Sequence, residues 1–318
     1  MPIIDMPLEQ LENYMGSSPK ADDFNQFWDR ALEEMKAIEP NVTLEEADFQ
    51  VPFATCYHLT FTSTGGARIH AKFVKPLNIT KKVPAVIKFH GYTMGSGDWS
   101  SLLTYAASGM IVAALDCRGQ GGLSEDIGGV KGGTLYGFII KGVDSGGDSL
   151  YFKHIFLDTA KLAGLILDME EVDTEKVYAC GGSQGGALAL ACAALEPRIS
   201  KVAPVYPFLC DYKRVWDMDL ADKAYIGLRE YFRKFDPLHR RENEFFKTLS
   251  YIDIQHLTPR IKGSVLFFIG LMDDVCPPST QFEAYNKITS PKQMVIYPDF
   301  THEGLPDQSD LELIFLLK

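Results

Sequence analysis

The chain has 318 residues, 46% of them hydrophobic and 23% charged. That length allows one large domain or two small ones and buries a core without disulfide or metal staples, and the composition excludes disordered, collagen-like and coiled-coil chains. A balance of 31 basic against 42 acidic residues, formally −11, argues against nucleic acid and anionic membrane surfaces as partners.

Met1 to Lys20 carries Asp5, Glu9 and Glu12 and has no apolar run of signal-peptide type. No uncharged apolar stretch reaches 18 residues, so no membrane span is expected. Six cysteines, Cys56, Cys117, Cys180, Cys192, Cys210 and Cys276, lack Cys-x-x-Cys spacing and are read as buried free thiols of a reducing, cytoplasmic compartment. No His-Glu-x-x-His motif or Cys/His cluster points to zinc, and no cofactor is expected.

In chain order, Asp22 to Ile38 places Phe24, Phe27, Trp28, Leu32, Met35 and Ile38 on one face, which predicts a docked helix. Thr55–Thr62 and Ala67–Val74 flank Ser63-Thr64-Gly65-Gly66 as a hairpin. Alternation follows: strand Val83–Phe89, helix Ser101–Ser108, strand Met110–Leu115, helix Ser149–Met169, strand Lys176–Ala179, helix Gln184–Leu195 and strand Val202–Val205. The glycine-rich stretch Gly119–Gly147 interrupts it and reads as a functional loop. Residues from about Pro207 to Pro259 read as helices inserted between strands, before strand Ser264–Gly270, helix Thr280–Ile288, strand Gln293–Tyr297 and helix Leu311–Leu317. The pattern predicts one α/β domain over 1–318, a mostly parallel sheet covered by helices on both faces, with an N-terminal helical extension and a helical cap inserted at about 207–259.

The strongest local signal is Gly181-Gly182-Ser183-Gln184-Gly185-Gly186, between a predicted strand and an alanine-rich helix. Gly-x-Ser-x-Gly in that context presents a serine hydroxyl at a sharp strand-to-helix turn, where a Cβ at Gly181 or Gly185 would clash. A serine needs a base. In this architecture the partners follow in the order acid then histidine, at the ends of later strands. His302, after the last strand, is the expected base, and protonated His302 could not serve, so activity should fall in acid. Asp273, nearest its strand end, is the expected acid, with Asp274 and Asp299 as alternatives. The expected oxyanion donors are the backbone N–H of Gln184 and, from the His90-Gly91-Tyr92 loop, that of Tyr92. Arg118 is expected to hold the loops by a salt bridge, with binding of a substrate carboxylate as the alternative, and Asp148 to cap the helix after it. His58, His70, His154, His239 and His256 are expected to be structural or surface residues.

Arg118-Gly119-Gln120, Gly181-Gly182-Ser183-Gln184-Gly185 and His302-Glu303 together resemble the signature of the acetyl xylan esterase / cephalosporin C deacetylase family of carbohydrate esterases, on the α/β-hydrolase fold. The resemblance implies Ser183 as nucleophile, Asp273 as acid, His302 as base and the Tyr92 and Gln184 backbones as oxyanion donors. It also implies removal of O-acetyl groups from short xylo-oligosaccharides and cephalosporins without a metal, and peracid formation by some members. Intracellular homohexamers, trimers paired face to face, are implied by it too. A broad carboxylesterase or a serine peptidase on the same fold is the alternative, and a non-catalytic binding protein the remotest.

Overall fold

The computed structural model describes residues 4–127 and 137–318. Nine strands form one sheet: β1 (Thr43–Glu46), β2 (Ala54–Thr62), β3 (Arg68–Pro76), β4 (Val83–Phe89), β5 (Ile111–Leu115), β6 (Val172–Gly182), β7 (Lys201–Val205), β8 (Ser264–Gly270) and β9 (Lys292–Tyr297). The helices are α1 (Leu8–Leu11), α2 (Phe24–Lys36), α3 (Leu103–Ala107), α4 (Tyr151–Leu167), α5 (Gln184–Leu195), α6 (Tyr212–Asp217), α7 (Ile226–Phe235), α8 (Glu242–Leu249), α9 (Ile254–Leu257), α10 (Pro278–Asn286) and α11 (Gln308–Leu317). The predicted hairpin, the N-terminal helix and the strand–helix alternation are all present. The short exposed strand β1 was not predicted, because Thr43–Glu46 has no buried side chain to set a period. Part of the predicted Gly119–Gly147 loop lies outside the described residues.

The sheet order is β1-β2-β3-β5-β4-β6-β7-β8-β9. From β5 to β9 every pairing is parallel, while β1, β2 and β3 add antiparallel strands at one edge. Successive side chains of a strand point to opposite faces. Ala85, Ile87, Ile111 and Ala113 therefore join one core with α2, α4 and α5, while Val86, Val112, Tyr178 and Cys180 join another with α3 and α11. Both faces are buried, which is why these strands read as continuous apolar runs rather than as alternation.

Strand order reverses at β4, whose neighbours are β5 and β6. The crevice outside the carboxyl ends of the strands at such a switch point is the usual ligand site of an open α/β sheet. The loops after β4, β5 and β6 meet there.

Between β7 and β8 the chain leaves the sheet to form α6, α7, α8 and α9. The N-terminal segment is fastened to this region through a buried carboxylate. Asp211 accepts from Tyr14 Oη at 2.8 Å, from the backbone N–H groups of Ser17 and Ser18 at 2.9 Å each, and from Ser18 Oγ at 2.7 Å. Its own N–H donates to Asp253 Oδ1 at 3.0 Å. Burial, and then the negative charge of Asp211, pushes the Asp253 carboxyl up to about 7. The folded chain therefore holds a proton that an unfolded Asp releases near pH 4, and the linkage costs stability as pH rises from about 4 to about 7. Asp253→Asn should flatten that window. The Tm difference between the variant and the parent should shift in the variant's favour from pH 5 to pH 7.5, and a pH-independent difference would refute the assignment.

Candidate active site

β6 ends at Gly182 and α5 begins at Gln184, so Ser183 alone makes the turn. Its backbone sits at φ 57° and ψ −120°, a region that costs a non-glycine residue of order 1–3 kcal/mol. Three backbone bonds hold it there: Ser183 N–H donates to Val205 O at 2.9 Å, and Phe208 N–H and Ala187 N–H each donate to Ser183 O at 3.1 Å. The glycines on either side are a steric requirement. A Cβ at Gly181 would lie 2.6 Å from Phe89 O, and one at Gly185 only 2.2 Å from the same oxygen.

The loops after β8 and β9 bring the other two residues to this serine. Ser183 Oγ lies 3.0 Å from His302 Nε2, and His302 Nδ1 lies 2.8 Å from Asp273 Oδ2. Asp273 is fully buried. Its Oδ1 accepts the N–H groups of Val275 and Cys276 at 2.9 and 2.7 Å, which orients the carboxylate. The Tyr206 ring packs on the imidazole, with centroids 4.5 Å apart. Of the alternative acids, Asp274 turns outward to pair with Lys223 Nζ at 2.7 Å, and Asp299 is exposed. This is the arrangement in which an imidazole can take the hydroxyl proton while a carboxylate fixes its tautomer.

Gln184 is the first residue of α5, where a backbone N–H has no intrahelical acceptor. Tyr92 lies in the loop after β4. Among the described residues neither N–H finds an acceptor. The first turn of a helix also favours developing negative charge. Asp273, Cys276 and His302 are the one group of three possible metal donors within 4.8 Å among the described residues, and Asp273 and His302 already face each other.

The family model described as acetyl xylan esterase (AXE1) matches residues 1–318. The chain belongs to the acetyl xylan esterase family. It is 55% identical to acetyl xylan esterase 1 from Thermoanaerobacterium sp. JW/SL YS485, covering 99% of both chains with a TM-score of 0.97. It is 35% identical to an acetyl xylan esterase from Paenibacillus sp. R4, covering 98% of this chain and 99% of that one with a TM-score of 0.93. It is also 26% identical to the acetyl esterase Axe7A of Xylanibacter ruminicola over 93% of this chain, and spans 66% of that protein's length. The fold is that of the α/β-hydrolase esterases.

In this family member the Arg118-Gly119-Gln120 stretch works from beneath the site. Arg118 is buried and its fork meets Asp158 of α4, with Nε to Oδ2 and Nη2 to Oδ1 both at 2.7 Å. It also donates to Thr64 O at 3.1 Å and Thr64 Oγ1 at 2.9 Å. The expected salt bridge thus ties β5's end to α4 and to the β2–β3 turn. Gln120 reaches the site itself. Its Oε1 accepts from Thr93 N–H at 2.9 Å, and its Nε2 donates to Gln184 Oε1 at 2.9 Å. Gln120 therefore touches Thr93, the neighbour of the candidate donor Tyr92, and the side chain of the candidate donor Gln184, a role invisible in the sequence, because residues 93, 120 and 184 meet only when three loops converge. Glu303 accepts from the Thr301 N–H at 3.0 Å and its Oγ1 at 2.8 Å, shaping the turn that carries His302.

One expectation is corrected. Asp148 makes no cap to α4, whose first turn has no side-chain capping bond. It pairs instead with Lys153 Nζ at 2.7 Å and with Arg30 Nη2 at 2.9 Å, because α4 starts at Tyr151, too far along for the carboxylate to reach its free N–H groups. The six cysteines are buried free thiols, as expected. Among the described residues no helix is long and apolar enough to cross a membrane.

Proposed function

We propose that this chain is a serine carboxylic ester hydrolase that removes O-acetyl groups from short acetylated xylo-oligosaccharides. The observation that carries the reading is the continuous contact from Ser183 Oγ through His302 to Asp273, at 3.0 and 2.8 Å. Membership of the acetyl xylan esterase family supports the acetylated-sugar substrate.

Ser183 Oγ attacks the acetyl carbonyl carbon while His302 Nε2 takes its proton. The Tyr92 and Gln184 N–H groups stabilise the oxygen that becomes negative. Collapse of the tetrahedral intermediate expels the sugar alkoxide, which receives the proton from His302. Water, deprotonated by the same imidazole, then attacks the acetyl-enzyme, and collapse returns acetate and the free serine. Asp273 orients the imidazole and stabilises the imidazolium formed in each half.

The proposal extends to cephalosporin-type acetyl esters, whose acetyl carbonyl presents the same electrophile. It reads residues 207–259 as a cap over the site, supported by the Lys223–Asp274 pair at 2.7 Å and by the Phe208 ring packed on Tyr92 at 5.4 Å. A homohexamer in the cytoplasm completes the reading. The hexamer is supported by family resemblance, and the compartment by the six unpaired thiols.

Acetate release from acetylated xylo-oligosaccharides, with p-nitrophenyl acetate and cephalosporin C in parallel, tests the activity. Release from the sugar by the parent protein and not by Ser183→Ala is the expected result. Hydrolysis of p-nitrophenyl acetate with no acetate from the sugar would overturn the substrate and favour a broad carboxylesterase. Light scattering should give six times the chain mass of 35.5 kDa, and any smaller assembly would overturn the hexamer.

A further inference from the structure

The loop that supplies Tyr92 carries a histidine that the triad does not use. His90 directly follows β4, and both of its ring nitrogens are engaged. Cys117 N–H donates to Nε2 at 3.0 Å, so that nitrogen bears a lone pair and the proton sits on Nδ1. Nδ1–H then lies 2.8 Å from Gly91 O, its acceptor. Burial holds the ring below its ordinary pKa, which keeps it in this neutral form.

Gly91 O belongs to the same planar unit as Tyr92 N–H. In a trans peptide the carbonyl and the N–H point in opposite directions, so fixing one fixes the other. Two donors meet Gly91 O. The turn bond from Met94 N–H to Gly91 O is long, at 3.2 Å. The shorter of the two bonds on Gly91 O comes from His90.

We propose that His90 is a positioning residue for the oxyanion hole: its Nδ1–H, with the tautomer set by Cys117 N–H, locks the Gly91–Tyr92 peptide so that the Tyr92 N–H faces the reacting carbonyl oxygen. The lock joins the ends of β4 and β5, the two strands at the switch point. The inference rests on the serine-esterase reading.

Two variants separate the two ring contacts. In His90→Asn the side-chain amide nitrogen can take the place of Nδ1 and still donate to Gly91 O. In His90→Gln the amide oxygen can take the place of Nε2 and accept from Cys117 N–H, with no donor left for Gly91 O. Steady-state kinetics with p-nitrophenyl acetate are measured beside inhibition by phenylboronic acid, whose tetrahedral serine adduct places an oxygen in the hole. His90→Gln should lose kcat by roughly 10- to 100-fold, below the full cost of removing a donor, with KM within about threefold and boronate affinity weakened in proportion. His90→Asn should keep kcat within about fivefold of the parent. Equal kcat in the two variants overturns the proposal. So does a loss of kcat in His90→Gln with unchanged boronate affinity per active site, which is the pattern of a merely structural role. Ser183→Ala, run alongside, reports on the reading beneath it. Parent and Ser183→Ala turning over alike would sink the esterase mechanism, whereas an inactive Ser183→Ala with equal His90 variants would sink only the lock.

Discussion

Ser183→Ala and His302→Ala should each lower kcat on acetyl esters by about 10⁴- to 10⁶-fold, and the double variant should fall no further. The two act as one unit: the hydroxyl is a poor nucleophile without the imidazole 3.0 Å away, and the imidazole has nothing to activate without the hydroxyl. A residual rate should remain from the proposed oxyanion donors and substrate binding. Folding should be nearly unaffected by Ser183→Ala, because the turn is held by backbone bonds to Val205 and Phe208 rather than by the hydroxyl. The measurement is kcat/KM for the two single variants and the double on one substrate. Losses that multiply in the double variant would mean independent roles and would refute the triad.

The largest expected stability effect lies away from the chemistry. Arg118→Met should destabilise the fold by about 3–5 kcal/mol, because it strands the Asp158 carboxylate in a dry interior. Both side chains are at most 2% exposed. Asp158 would keep only Ser63 Oγ as a donor among the partners seen here. Replacing both members, Arg118→Met with Asp158→Leu, should recover a large part of the loss, since a buried ion pair is worth little over packed apolar groups once both charges are gone. The recovery should be incomplete, because Thr64 O and Thr64 Oγ1 lose the guanidinium donors as well. Urea unfolding of the two single variants and the double gives the coupling. A single-variant loss below 1 kcal/mol would show that water reaches the site and screens the charge.

These two predictions differ in how far the sequence alone could carry them. Ser183 was legible because a sharp strand-to-helix turn forbids side chains at its flanks, so the required glycines stand within two residues of the serine. His302 and Asp273 were legible because their place in chain order and at strand ends is fixed by the architecture. Arg118 was legible as a salt-bridge residue, but its partner was not. Asp158 sits in the middle of a predominantly apolar helix that is buried over most of its surface, and nothing in α4's own sequence marks Arg118 as its partner.

The same contrast holds for the fold. The sequence by itself determined the strands and helices that alternate between Val83 and Leu317 outside the Gly119–Gly147 loop and the 207–259 insert, since apolar runs buried on both sheet faces and 3.6-residue periodicity are local signals. It also determined the identity of Ser183, Asp273 and His302 as the residues to bring together. It misplaced Asp148, because the first turn of α4 begins beyond the carboxylate's reach and Lys153 and Arg30 claim it instead. Only the tertiary structure decided the partners that arrive from distant loops: Asp158 under Arg118, Gln120 between Thr93 and Gln184, Tyr206 on His302, and the Cys117 N–H that sets the His90 tautomer. The physical reason is one of range. Backbone geometry and side-chain periodicity act over a few residues and are written into neighbouring positions. Hydrogen-bond partners across the ends of a twisted sheet depend on which loops converge, and that follows from strand order.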